Sequence, residues 1–237
     1  MSFFPAMAFR IKNYMRKGTF AFIITLMSCH GNRDINQADK LLSQNIKIIS
    51  TARRISLERK GGYTKVTIIN PWQGANNLNM VYNLVRRGSA IPPGLDSSTV
   101  IFVPVKKIIC MSTTQVAMIS ALGEENTISG MSGTDFIFSD LLAERAKQGF
   151  IKDVGYENNL NKELILNIKP DIIMMYGIGS ESAGYVGKIQ ELGVKVVFNA
   201  DYLESDPLSK TEWIKLFGAL YCKEPAADSI YNAEAES

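Results

Sequence analysis

Residues 171–176 read Asp-Ile-Ile-Met-Met-Tyr, an apolar run with no polar residue at alternate positions. A strand with this texture is covered on both faces, which an antiparallel sheet with one wet face does not provide. Similar strand-like runs stand at 100–112, broken by Pro104, at 126–131 and at 194–201. Between them lie segments with helical spacing. Val116, Ile119 and Leu122 share a face behind a Ser112 or Thr114 cap, and Gly123 ends that segment. Asn161 caps a turn in which Leu164, Ile165 and Ile168 face inward, and Pro170 stops it. Ser139–Lys147 and Glu181–Leu192 complete the set. Strand and helix alternate over short connections, so the sequence predicts an α/β fold with a Rossmann-like, doubly wound, mostly parallel sheet.

The ligand side of such a sheet is the carboxyl edge of its strands. Here that edge carries Ser112, Thr113, Thr114, Met131, Ser132, Tyr176, Gly177 and Tyr202. Upstream, Tyr63, Val66, Ile68 and Ile69, followed by 80–88, read as a small β appendage over 63–105. The α/β unit occupies 106–203. At 207–237 a strongly apolar stripe runs through Trp213, Leu216, Phe217, Leu220 and Tyr221.

Charge and special residues narrow the chemistry. The net charge of +3 is concentrated in Arg10, Lys12, Arg16 and Lys17; the rest holds 22 basic against 23 acidic residues, which is no nucleic-acid footprint. The single histidine, His30, lies far from the sheet, and no cysteine spacing indicates a metal site. No metal and no cofactor is expected. Asp135, Asp140, Asp153 and Asp201 have no spaced partner for acid-base work, so the reading is not an enzyme. One alternative stays open. Gly177-Ile178-Gly179-Ser180-Glu181-Ser182 with Asp201 beyond approaches the dinucleotide fingerprint, with Ser182 in place of the third glycine. A secreted or cytosolic α/β nucleotide-binding enzyme would use this Gly177–Gly179 turn.

The four early cations precede Gly18–Met27, an apolar run of signal-peptide length and too short for a membrane span. Leu26-Met27-Ser28-Cys29 resembles the bacterial lipobox, which implies a lipoprotein signal over 1–28 and a diacylated Cys29. The signal is complete from Met15, so 1–14 read as an extension from an upstream start codon. Residues 29–62 then read as a tether.

The order KKIICMSTT, ALGEENTISGMSG, IKDVGY, NKELILNIKPDIIMMY and ELGVKVVF resembles the first lobe of the periplasmic substrate-binding proteins that serve ABC importers of ferric siderophores, haem and cobalamin. The resemblance covers about 100–235. It is most specific at Asn161, Glu163, Ile165, Lys169, Pro170 and Asp171. The appendage and DYLESDPLSKTEWIKLFGA are similar to the form in Bacteroidetes-type lipoproteins.

The resemblance implies two lobes joined by one long crossing helix, a metal-chelate ligand held between them, small opening motions, and permease and ATPase partners in a membrane. It implies that Glu163 docks with permease arginines. It also implies that Tyr176 and Tyr202 stack on a macrocycle or face a ferric chelate, that Ser112, Thr113, Thr114 and Ser132 hydrogen-bond to the ligand, and that Met131 gives an apolar wall. Residues 207–237 correspond to the start of the crossing helix, with the second lobe missing from this sequence. On this reading the chain is a truncated or fragmentary binding protein with weak or absent ligand binding of its own, and the stripe around Trp213 and Phe217 is left exposed, open to aggregation or pairing with a second copy.

Overall fold

The computed structural model describes residues 46–156, 159–177, 187, 189–191 and 193–236. The signal-like segment, Cys29, His30 and most of the Gly177–Ser182 turn lie outside these residues, as does most of the Glu181–Leu192 helix. Two five-stranded sheets organise the described chain. The first runs β1 (Ile46–Lys47), β2 (Ile55–Lys60), β3 (Tyr63–Ile69), β4 (Asn79–Arg86) and β5 (Val100–Val103), in that spatial order. Its pairs are antiparallel except β4 with β5, which are parallel.

One correction concerns the tether: residues 55–60, expected within it, form β2. Ile55 and Leu57 are buried and alternate with Ser56 and Glu58, the period of a half-buried strand. Gly61-Gly62 returns the chain into β3, Gly62 sitting at φ 87°, a conformation glycine reaches without steric cost.

The second sheet consists of β6 (Ile108–Cys110), β7 (Ile128–Met131), β8 (Lys152–Asp153), β9 (Ile172–Met175) and β10 (Val196–Phe198). All its pairs are parallel, in the order β10-β9-β6-β7-β8. This is a doubly wound sheet. Two rightward steps from β6 place β7 and β8, and the chain then crosses to the far side of β6 for β9 and β10. Strands β6, β9 and β10 are buried at every position, as continuous apolar runs demand.

Helix α1 (Thr113–Ala121) follows β6, α2 (Asp140–Lys147) follows β7, and α3 (Lys162–Ile168) follows β8. Residues 207–235, expected as two helical stretches, Thr211–Tyr221 and Ala226–Glu236, parted at Pro225, form three helices: α4 (Pro207–Thr211), α5 (Ile214–Tyr221) and α6 (Glu224–Ala235). The break after α5 is at Cys222, which adopts a left-handed conformation at φ 56° and turns the chain before Pro225.

The expectation of an exposed apolar stripe is overturned. Trp213, Phe217 and Leu220 are 0% exposed. Helix α5 packs against β5 of the first sheet and against α1, and the Val105 N–H donates to the Leu220 carbonyl at 2.9 Å. Leu57, Val66 and Ile68 of the first sheet join Trp213, Phe217 and the strands of the second in one continuous core. What looked like an appendage is the cover for the stripe.

Two buried carboxylates fasten that cover. Glu212 accepts the backbone N–H groups of Ser50, Thr51 and Ala52 at 2.7–2.8 Å, with the Ser50 and Thr51 hydroxyls. Glu204 accepts the N–H groups of Arg53 and Arg54, with its nearest contact at 2.9 Å, and Trp213 Nε1 at 3.2 Å. Lys215 Nζ neutralises Glu212 at 3.1 Å and reaches the Ile48 carbonyl at 3.3 Å. Charge-assisted bonds of this kind offset the cost of burying the carboxylates.

Candidate functional site at the carboxyl edge

The reversal of strand order falls between β6 and β9, so the crevice of this sheet opens beyond Cys110 and Met175. The chain leaves β6 into Ser112 and leaves β9 into Tyr176-Gly177, so the sequence-predicted residues Ser112, Thr113, Thr114, Tyr176 and Gly177 stand on either side of it. Tyr202 joins them from the turn after β10, where its hydroxyl donates to the Gly177 carbonyl. Met131 and Ser132 end β7, one strand further along. Glu163 is exposed in the first turn of α3. The Asn161 N–H donates to the Val154 carbonyl just past β8 at 2.9 Å, so α3 starts at this same edge. The Asn161 side chain caps it by accepting from Leu164 N at 2.9 Å.

The roles inside this group differ from a simple row of donors. Ser112 caps α1, its Oγ accepting from Gln115 N at 3.4 Å. Gln115 closes the box by accepting the N–H groups of Met111 and Ser112 at 2.8 and 3.2 Å. Of the first N–H groups of α1, that of Gln115 is taken by Ser112, while the Gln115 amide holds the two N–H groups just ahead of the helix. Gln115 is fully buried, and its Nε2 has no acceptor among the described residues. Thr113 and Thr114 are exposed, and Tyr176 is half-buried. Met131 is 1% exposed and presents its wall inward, to an apolar cavity of about 180 Å³ shared with Val116, Phe136 and Leu142. Ser132 is buried, with its N–H donated to the Cys110 carbonyl at 3.0 Å.

Sequence reasoning missed four aromatics on this edge. Phe136, Phe138 and Tyr156 are exposed, Phe138 by 93%. Phe136 and Tyr156 lie over Gly133, where a β-carbon would sit 2.8 and 2.9 Å from them; the φ of 69° at Gly133 excludes other residues as well. A run such as Asp-Phe-Ile-Phe directly after a strand end, with no helical or strand period to bury it, is the signal that could have found them. The fourth is Trp72, carried by the loop after β3. It bridges to Gly177 in parallel sense and packs on Phe198 with ring centroids 5.3 Å apart.

The carboxylates of the edge hold loops. Asp153 accepts from Gly155 N at 2.8 Å and from Gly133 N and Thr134 N at 3.3 Å. Asp201 is buried, and burial raises its carboxyl above the usual range despite the bond from Tyr202 N at 2.7 Å. That bond holds its Oδ1 within its own turn. Burial pushes the Cys110 thiol far up, so Cys110 is core. Among the described residues no group of three His, Cys, Asp or Glu side chains could hold a metal ion, and no helix is long and apolar enough to cross a membrane.

No protein-family model matches the chain. An uncharacterized lipoprotein of Methanocaldococcus jannaschii is 37% identical over 143 residues, 57% of this chain and 34% of that protein. Among solved structures, the chain is similar to a periplasmic heme binding protein from Pseudomonas aeruginosa, with 20% identity and a TM-score of 0.44 over 56% of this chain and 44% of that one. It is similar to the triscatecholate siderophore binding protein FeuA from Bacillus subtilis, with 20% identity and a TM-score of 0.43 over 57% and 44%. The periplasmic vitamin B12 binding protein BtuF of Vibrio cholerae gives 14% identity and a TM-score of 0.40 over 56% and 48%. The chain spans about a third of the curated relative's length and less than half of each of these structures. The proteins it resembles are thus periplasmic binding proteins for haem, siderophores and vitamin B12, together with a lipoprotein.

Proposed function

We propose that this chain is the ligand-capturing part of a solute-binding lipoprotein that delivers a metal chelate to an ABC importer. The observation that carries the reading is the start of α1. In a nucleotide-binding sheet the helix after the first strand offers its free N–H groups to phosphate. Here a side-chain capping box takes the Gln115 N–H and the Met111 and Ser112 N–H groups ahead of the helix, while hydroxyls and aromatic rings line the rest of the edge. Such a surface suits a large, partly apolar ligand recognised by stacking and a few hydrogen bonds. The ligands named for the similar proteins, haem, vitamin B12 and ferric siderophores, are the classes to test.

In this reading Cys29 carries the lipid that holds the protein at a membrane outside the cytoplasm, Glu163 docks with the permease, and the protein performs no catalysis. The test is calorimetric titration of the full chain with haemin, cyanocobalamin and ferrichrome, beside NAD and ATP. Binding of a chelate and of neither nucleotide is expected. Micromolar binding of NAD or ATP that is lost in Gly177→Val would replace the reading with the nucleotide-binding one, and no chelate binding up to millimolar concentration would remove it. Labelling with radioactive palmitate, with Cys29→Ala as control, checks the anchor.

A further inference from the structure

We propose that the loop Gln73–Asn77, contributed by the first sheet, forms part of the ligand-binding wall and that Gln73 recognises uncharged polar groups on the ligand's rim. This rests on the ligand-edge reading above.

Chain direction places the loop. Trp72 and Gly177 form a parallel bridge, so the chain passes Trp72 in the same direction as β9. The residues after Trp72 therefore continue beyond the carboxyl end of β9, onto the side where the crevice opens. Trp72 is only 7% exposed and is wedged on Phe198 of β10, which fixes where the loop begins.

The loop is closed at its base and stiff. The Asn70 N–H donates to the Leu78 carbonyl at 2.7 Å, and the Asn70 side chain accepts the Leu78 N–H at 3.1 Å. Inside it, Ala75 N donates to the Trp72 carbonyl at 3.1 Å and Asn76 Nδ2 to the Gly74 carbonyl at 3.3 Å. Asn70, Gly74 and Asn77 have φ of 48°, 85° and 55°, a conformation that asparagine and glycine reach at least cost. Backbone demands thus account for those three. They do not account for Gln73, which is exposed and, among the described residues, takes no part in closing the loop.

A fixed loop loses little entropy when a ligand arrives. An exposed amide on it offers both donor and acceptor without charge. Arg54, at the loop's base, uses Nη1 for the Asn70 carbonyl at 3.0 Å. The matching ligand chemistry is amide or hydroxamate groups at the periphery of a chelate.

The experiment measures alkylation rates of single cysteines in the full chain carrying Cys29→Ser and Cys222→Ser, with cyanocobalamin or ferrichrome present or absent. Gln73→Cys tests the loop, Thr113→Cys the opposite side of the crevice, and Ser89→Cys a remote surface. Protection at Gln73→Cys and Thr113→Cys but not Ser89→Cys is expected. Gln73→Ala should weaken affinity by about three- to ten-fold, the equivalent of one hydrogen bond. Protection confined to Thr113→Cys, or an unchanged affinity in Gln73→Ala, overturns the loop's role while leaving the edge reading intact. Protection at neither site overturns both.

Discussion

Glu212 Oε1 accepts both the backbone N–H and the hydroxyl of Ser50, each at 2.7 Å, across 162 positions of sequence. Burial pushes this carboxyl up, but the bonds from Ala52, Ser50 and Thr51 outweigh it and hold the pKa at about 2. A carboxyl depressed in the folded state contributes stability in full above its unfolded value of roughly 4.3. That contribution is lost as pH falls through the folded value of about 2. Urea unfolding should therefore show declining stability across this window. Glu212→Gln should cost about 2–4 kcal/mol at pH 7, because it leaves Lys215 and several donors poorly matched. It should also flatten the acid limb, and a variant with wild-type stability at pH 7 would contradict the clamp.

Removing residues 46–99 should uncover Trp213 and Phe217. Trp213 is then the one remaining tryptophan of two, so its emission should shift to the red and the shortened chain should bind a hydrophobic dye. In the full chain Leu57→Ala, a milder lesion of the same cover, should cost about 2–5 kcal/mol. A soluble shortened chain with blue-shifted emission would show that the first sheet is dispensable.

Gly218 permits the close crossing of α5 and α6. A β-carbon there would lie 2.5 Å from that of Ala227. Gly218→Ala gains about 1 kcal/mol of helix propensity but is overpacked by about 1–3 kcal/mol. A net loss is expected in thermal unfolding. Pairing it with Ala227→Gly should recover the packing share, giving a positive coupling in a double-mutant cycle.

Glu163→Arg tests the docking role alone. The side chain is exposed, and the α3 cap belongs to Asn161. Folding and chelate binding should stay unchanged, apart from about 0.3–1 kcal/mol of helix-dipole stabilisation. Uptake in cells should be abolished, and normal uptake would refute the assignment.

The sequence made legible whatever depends on near neighbours. The all-apolar texture of 171–176 specified a strand covered on both faces, and Ser112 and Asn161 both cap helices where the pattern placed them. Contacts set by distant partners were not legible. The stripe through Trp213 and Phe217 announced an apolar face but not what would lie on it, because its cover is a sheet more than a hundred residues upstream. Strand β2 was hidden for another reason: its Ile-Ser-Leu-Glu alternation is short and set among charged residues, and it looked like a tether although its partner β3 follows directly. At the edge, strand ends pointed to Ser112 and Tyr176. Trp72 was invisible because only the folded topology brings its loop to Gly177.

The clamp also has an order in time. Ser50 and Thr51 leave the ribosome about 160 residues before Glu212, so this clamp cannot close until the chain between them has been made. Closing so long a loop is slow. Glu212 thus ties the anchoring of residues 50–52 to the synthesis of a segment far downstream.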